Sequence, residues 1–279
     1  MRYLQPKTLP ELAEALGQMT ENSHLLAGCT DFLAKRNGTC WEADLLVSLS
    51  AMECLRRIGE QDGMLSVGAL CTHTRVEEDP LVRKYFPALV QACGNVGSKQ
   101  VRNRGTVGGS VGNASPAGDI YPVLLVLGAQ AEILDSKGTV RRVPAEQVIR
   151  GMGKTALARD EAITAFLLPL PEAGAVSAFA KLGERAKVTI AKINLALSGK
   201  TENGCLKDVR VALGAVAEKA FLSEEAAAVL EGRPLEDLPV KEFGEVLSQI
   251  VRRSIPTRAS MPYKNEAVRG LAEDLLKLL

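Results

Sequence analysis

The spacing of apolar and polar positions divides the chain into short helices and strands. Thr8-Leu9-Pro10-Glu11 opens like a helix, with a hydroxyl cap, an early proline and an acid three residues past the cap. Leu12, Ala15 and Leu16 continue it as one apolar stripe. His24 to Ala27 is an apolar run that stops at Gly28-Cys29-Thr30-Asp31, after which Phe32 to Lys35 can start a helix. The pattern there predicts strand, tight turn, helix. Residues 44–49 and 64–67 read as strands, and Leu81, Phe86, Leu89 and Val90 give 80–93 a helical spacing.

From 94 to 118 the pattern changes: seven glycines fall within 25 residues, interleaved with Asn, Ser and Thr, which predicts a long structured loop. An apolar helix over 122–127 precedes a hairpin, 131–134 with 139–143, turning at Asp135-Ser136-Lys137-Gly138. A strand over 161–168 leads to Pro169-Leu170-Pro171-Glu172-Ala173-Gly174, the best candidate boundary between domains. Beyond it, strand patterns at 177–182, 190–197 and 209–215 precede helical patterns at 223–230, 240–252 and 265–279.

At 279 residues with 46% hydrophobic content, the chain is long enough for one large or two modest domains and too apolar for disorder. Its 34 Lys+Arg against 33 Asp+Glu leave a formal charge of +1, which argues against a global attraction to nucleic acid or anionic lipid and leaves a local basic patch open. No apolar run approaches the about 18 residues of a membrane span, and the N-terminus lacks a signal-peptide core. Cys29, Cys40, Cys54, Cys71, Cys93 and Cys205 show no C-x-x-C spacing, so zinc and iron–sulfur ligation are not expected; they read as reduced thiols of a cytoplasmic protein. His24 and His73 are too few for a multi-histidine metal site and are assigned structural or surface roles.

Small residues let backbone amides converge on an anion, and Thr106-Val107-Gly108-Gly109-Ser110 places adjacent glycines beside two hydroxyls. From Pro80 through Gly118 there is no acid, while Arg83, Lys84, Lys99, Arg102 and Arg104 are basic, a balance that favours a phosphate-bearing ligand. Glycines that merely make turns are the plainer reading. Gly28-Cys29-Thr30-Asp31 offers a second anion cradle, with Asp31 alternatively capping the helix. Asp119, the first carboxylate after the acid-free stretch, either accepts bonds from ribose or ribityl hydroxyls or caps the next helix. No G-x-G-x-x-G occurs, and Gly151 to Thr155 lacks the first glycine of a P-loop. No hydrolase triad can be assembled around Ser115.

Leu25-Leu26-Ala27-Gly28-Cys29-Thr30-Asp31-Phe32, Gly97 to Ser110 and Asn113-Ala114-Ser115-Pro116-Ala117-Gly118-Asp119 together resemble the FAD-binding medium subunit of molybdenum hydroxylases. That family includes the flavin subunits of xanthine dehydrogenase and carbon monoxide dehydrogenase. Ser254 to Lys264 resembles its C-terminal domain, so the likeness runs through nearly the whole chain.

The resemblance implies an α+β fold. A two-part FAD-binding domain (1–170), with a small α/β lobe near 1–55 and a larger mixed β lobe over 56–170, precedes an α+β C-terminal domain (175–279) with a small antiparallel sheet and helices. It also implies that residues 27–31 and 106–110 hold the FAD diphosphate, flanked by Leu26, Phe32 and Asn113. Asp119 is then expected at the polyol or ribose, Val96 near the adenine, and Ile163 and Lys181 near the flavin.

The implied function is electron transfer through FAD to an acceptor such as NAD, with a molybdopterin large subunit and a [2Fe–2S] small subunit as partners. A free-standing FAD oxidoreductase and a non-catalytic phosphate-ligand-binding protein are the alternatives. Cys29 replaces the family's usual second glycine, Ser110 its asparagine and Lys264 a common arginine. The Cys29 side chain predicts an ordinary φ there.

Overall fold

The computed structural model describes residues 1–36 and 42–279, so Cys40 lies outside the described residues. The chain begins with three parallel strands, β1 (Arg2–Leu4), β2 (His24–Leu26) and β3 (Leu45–Ser48), arranged with β3 in the middle. Helix α1 (Leu9–Leu16) connects β1 to β2, and α2 (Phe32–Arg36) follows β2. Thr8 caps α1 as its sequence predicts, accepting from the Glu11 amide at 3.3 Å. The stripe Leu12, Ala13, Ala15 and Leu16 is buried with Leu45, Val47, Leu49 and Met52, forming a small core of its own.

A five-stranded antiparallel sheet follows. It is built from β4 (Ile58–Gln61), β5 (Met64–Gly68), then β6 (Gln130–Asp135), β7 (Val140–Pro144) and, after the small hairpin β8 (Ile149–Gly151) and β9 (Lys154–Thr155), β10 (Glu161–Pro169). In space the order is β4-β5-β10-β6-β7, with the last-formed strand at the centre. The predicted hairpin is present as β6–β7; the Asp135 carboxylate accepts from the Lys137 and Thr139 amides and fixes its turn.

The helices between β5 and β6 correct two sequence expectations. The helical spacing over 80–93 is broken into α4 (Pro80–Tyr85) and α5 (Pro87–Asn95), because Pro87 has no amide to continue the ladder. The expected long loop is partly helical. After α3 (His73–Glu78), α4 and α5 come α6 (Lys99–Arg102) and α7 (Val107–Gly112), capped by Ser98 and Thr106. Their shortness and glycine content erased the apolar periodicity that would have announced them. Helix α8 (Ile120–Val126) is buried on every face, as its uncharged sequence requires.

Four antiparallel strands make the last sheet: β11 (Ala175–Leu182), β12 (Ile193–Glu202), β13 (Cys205–Gly214) and β14 (Phe221–Leu222). Helices α9 (Glu224–Leu230), α10 (Val240–Ser254) and α11 (Met261–Leu276) pack on it around Phe243, Leu247, Val251, Val268 and Leu275. The other side of this sheet contributes Phe179, Ala196 and Ala212 to the core that holds α8. Among the described residues no helix is long and apolar enough to cross a membrane.

Candidate functional site

Strand β2 ends at Leu26, and Ala27 to Asp31 then turn the chain into α2. The turn is made by Cys29 at φ 60°, a left-handed conformation that corrects the expected ordinary φ. The Cys29 carbonyl accepts from the Leu33 amide at 3.1 Å, which requires the chain to reverse before the helix begins. The amides of Gly28, Cys29 and Thr30 have no acceptor among the described residues. A left-handed residue within such a run turns successive N–H groups toward a shared concavity, an arrangement suited to anions. Burial holds the Cys29 thiol above its ordinary pKa, while the Arg104 guanidinium opposes that shift.

The glycine-rich segment works differently from the amide cradle read in its sequence. The Val107 and Gly108 amides donate to the carbonyls of Cys71 (3.0 Å) and Ala69 (2.9 Å). The Gly109 amide donates to Thr106 Oγ1 at 3.0 Å, and the Ser110 amide to the Thr106 carbonyl at 2.9 Å. These donors are satisfied within the chain. The glycines serve close approach instead: a Cβ on Gly108 would lie 2.6 Å from the Ala69 Cβ. On Gly109 it would lie 2.8 Å from Thr106 Oγ1 and 3.6 Å from the Ala27 Cβ. A Cβ on Gly28 would meet the Arg104 carbonyl oxygen at 2.0 Å. The two segments, distant in sequence, therefore share one wall.

Between them lies a cavity of about 640 Å³. Of the residues that the resemblance assigned to the cofactor, Leu26, Ala27, Gly28, Cys29, Thr30, Asp31, Phe32, Val96, Thr106, Gly108, Gly109, Ser110, Asn113 and Ile163 line it. A bulge in β10 between Ile163 and Ala165 helps place this wall, since Thr164 uses its carbonyl to accept from the Ala69 amide at 2.8 Å. Three expected residues are not part of the lining. Val107 points into the core, 1% exposed. Asp119 and Lys181 bond to each other instead, Nζ to Oδ2 at 2.5 Å, both side chains being buried. Lys181 also donates to the Asn95 carbonyl, and Asn194 Nδ2 donates to Asp119 Oδ1. Burial raises the Asp119 pKa, with Lys181 and Asn194 opposing. Asp119 begins α8 without capping it through its side chain.

The positive charge of the acid-free stretch is also redistributed. Lys99 pairs with Glu78 and Arg102 with Glu77, acids just upstream of that stretch. Arg83 and Lys84 donate to the Glu77 carbonyl and the Tyr85 hydroxyl. Arg104 keeps no such partner among the described residues, and its charge is felt at Cys29.

Sequence reasoning missed His73, Val101, Gly105, Gly153 and Leu157, all on the cavity wall. His73 is 3% exposed and its pKa is pushed down to about 4, first by burial and then by the Arg102 charge. Its place directly after the Thr72 cap of α3 was the only signal available. Gly153, at the tip of β8–β9, is carried to the site by donating its amide to the Ala114 carbonyl.

A diphosphate-linked dinucleotide such as FAD suits this cavity. It has amides at Gly28 to Thr30 with no acceptor among the described residues, neighbouring glycine surfaces that side chains would fill, and apolar walls at Val96, Val101, Leu157 and Ile163. Its volume lies in the about 300–1,000 Å³ range of small-molecule sites.

Residues 1–171 match the family described as the FAD binding domain in molybdopterin dehydrogenase, and 177–279 match the CO dehydrogenase flavoprotein C-terminal domain. The nicotinate dehydrogenase FAD-subunit of Eubacterium barkeri is 29% identical over 278 residues, covering 98% of this chain and 94% of that one. The putative xanthine dehydrogenase FAD-binding subunit of Escherichia coli K12 is 29% identical, covering 95% and 92%. Among solved structures, a chain of carbon monoxide dehydrogenase from Hydrogenophaga pseudoflava superposes with a TM-score of 0.90 at 25% identity, covering 100% of this chain and 96% of that one.

Proposed function

Because the chain belongs to the family of the FAD binding domain in molybdopterin dehydrogenase, we propose that it is the flavin subunit of a molybdenum hydroxylase, taking electrons from iron–sulfur clusters of a partner subunit and delivering them to an acceptor such as NAD. The chain is an oxidoreductase subunit and its cofactor is FAD. Its proposed partners are a molybdopterin large subunit and a [2Fe–2S] small subunit.

One observation carries the reading: Gly28, Cys29 and Thr30, whose amides have no acceptor among the described residues, line one cavity together with Gly108 and Gly109. Those amides are suited to the diphosphate, with Thr30 and Ser110 adding hydroxyls. Arg104 adds long-range positive charge at this end. Ile163 and Leu157 supply apolar surface for a ring and exclude water from it. Asp119 and Lys181 do not line this cavity; their buried pair joins the start of α8 to β11. Bound FAD supplies the redox chemistry, so the chain needs no nucleophile or acid–base pair of its own.

The proposed division is a FAD-binding domain over 1–170, with lobes 1–55 and 56–170, and a C-terminal domain over 175–279. Its support is that the three-, five- and four-stranded sheets fall wholly within 2–48, 58–169 and 175–222 respectively.

The test is purification of the native complex. Stoichiometric FAD absorbance on this chain, with molybdopterin and iron–sulfur subunits identified by mass spectrometry, is expected. A chain that arrives without flavin and takes up none on addition overturns the reading.

A further inference from the structure

His73 is a titratable group on the cavity wall that the reading above does not use. Its backbone is fixed as the first residue of α3, with its amide donating to the Gly105 carbonyl at 3.1 Å. The ring's Cδ2–Nε2 edge lies against Gly105, where an added Cβ would stand 3.1 and 3.3 Å from those two atoms. A side chain at Gly105 would press on the imidazole at this point of the wall.

The two ring nitrogens differ. Nδ1 is sealed from solvent and has no hydrogen-bond partner. Nε2 has no partner among the described residues either, but it is not sealed in this way, and the ring borders the cavity. The ring is neutral at physiological pH, because burial and the Arg102 charge both oppose a second proton. A neutral imidazole carries one N–H, and an orphaned buried N–H is rarer and costlier than an orphaned lone pair. The proton therefore sits on Nε2, which leaves Nδ1 as the bare acceptor and gives the cavity a single N–H donor at this point.

The surroundings of that donor are apolar and continuous. Val101 accepts the Gly105 amide on its carbonyl, and Val101 packs against Gly97 beside Val96. Val96, Val101, Gly105 and His73 thus make one wall, running directly into Thr106 and the glycine segment. A flavin ring has to remain reachable by its electron partners, whereas a nucleoside base does not. A wall whose one polar side chain is 3% exposed suits the base.

We propose that His73 binds the adenosine half of FAD, with Nε2–H donating to an acceptor atom of that half. The inference rests on the FAD reading of the cavity and deepens it. It makes His73 a binding residue that separates adenine dinucleotide from flavin mononucleotide, which lacks the adenosine half.

The test uses the full chain freed of flavin, titrated calorimetrically with FAD, ADP and FMN. The variant His73→Leu is expected to weaken FAD and ADP by about tenfold each and to leave FMN unchanged. His73→Gln, whose amide reaches to a similar distance with an N–H, is expected to recover most of the ADP affinity. Equal weakening of FMN and ADP overturns the assignment, as does unchanged ADP binding in His73→Leu. If His73→Leu does not fold, nitrogen-15 spectra of the wild-type chain decide. With two histidines in the sequence, the His73 Nε2 resonance is assignable by comparison with His24→Gln. A protonated Nε2 that shifts on adding ADP supports the proposal, and one that does not shift refutes it. A wild-type chain that binds neither FAD nor ADP removes the functional reading itself. A wild-type chain that binds both while His73→Leu binds them equally well removes only this inference.

Discussion

The position a Cβ would take on Gly28 lies 2.0 Å from the carbonyl oxygen of Arg104. Gly28 and Arg104 are separated by 75 intervening residues, so this contact closes the cavity between two remote parts of the chain. Gly28→Ala forces the wall apart. Because the obstacle is backbone on both sides, the about 1–3 kcal/mol typical of overpacking is expected to appear as a loss of FAD affinity of about fivefold or more, read by flavin fluorescence titration. Gly270→Ala is the comparison: Gly270 is exposed within α11 with open space around it, so alanine there is expected to raise unfolding free energy by about 0.5–1 kcal/mol and leave FAD binding alone.

Cys29 provides the second test. A non-glycine residue at φ 60° carries strain of about 1–2 kcal/mol relative to glycine, offset in part by the flexibility glycine adds to the unfolded chain. Cys29→Gly is therefore expected to keep FAD binding and to raise the melting temperature slightly, by the equivalent of about 1 kcal/mol or less. Cys29→Val, branched at Cβ and poorly tolerated in that conformation, is expected to lower the melting temperature and weaken FAD. A Cys29→Val protein as stable and as well loaded as wild type contradicts the strained-turn account.

The buried pair of Asp119 and Lys181 makes a third. Lys181→Met leaves a carboxylate with Asn194 as its remaining side-chain partner among the described residues, inside a seam formed by α8, β11 and β12. Removing one member of such a pair costs about 3–5 kcal/mol. The double variant Asp119→Asn/Lys181→Met is expected to recover part of that loss, because the uncompensated charge has gone with its partner. Urea denaturation of the four proteins in the cycle measures the coupling, and strict additivity rules out the pair as the seam's lock.

What the sequence disclosed and what it hid follow from how each residue acts. The capped α1, the Asp135 turn and three of the four strands of the last sheet were legible because periodicity and local turn chemistry determine them, whereas the two-residue β14 is too short to show a period. The lining from Leu26 to Phe32 was legible through resemblance, as was its partner segment. Their division of labour was not. Val107 to Ser110 bond with Cys71, Ala69 and Thr106, and only folding shows that those carbonyls and the Thr106 hydroxyl occupy the amides an anion was expected to take. Asp119 and Lys181 could not be paired in advance because 61 residues intervene between them and neither carries a local signal of the other. The same is true of His73, whose ring lies against Gly105 and feels the Arg102 charge, both remote from it in the sequence. A sequence shows which groups are present; it shows which are already occupied only where the occupant is a near neighbour.

That burial gives the last prediction a sign. An unfolded-state histidine titrates near 6.5, and His73 in the folded chain is pushed down to about 4. Well above pH 6.5 the ring is neutral in both states and the fold keeps its full stability from this group. As the pH falls through that range the unfolded chain takes up a proton the folded chain refuses, so stability declines until the folded ring also protonates near 4. The integrated loss is about 3 kcal/mol. His73→Leu removes the titration, so between pH 6.5 and 4 its urea-unfolding free energy is expected to fall less steeply than that of the wild type, by about that amount over the window. Parallel curves for the two proteins show that the imidazole is solvated, and they remove the physical basis for a neutral donor at the cavity wall.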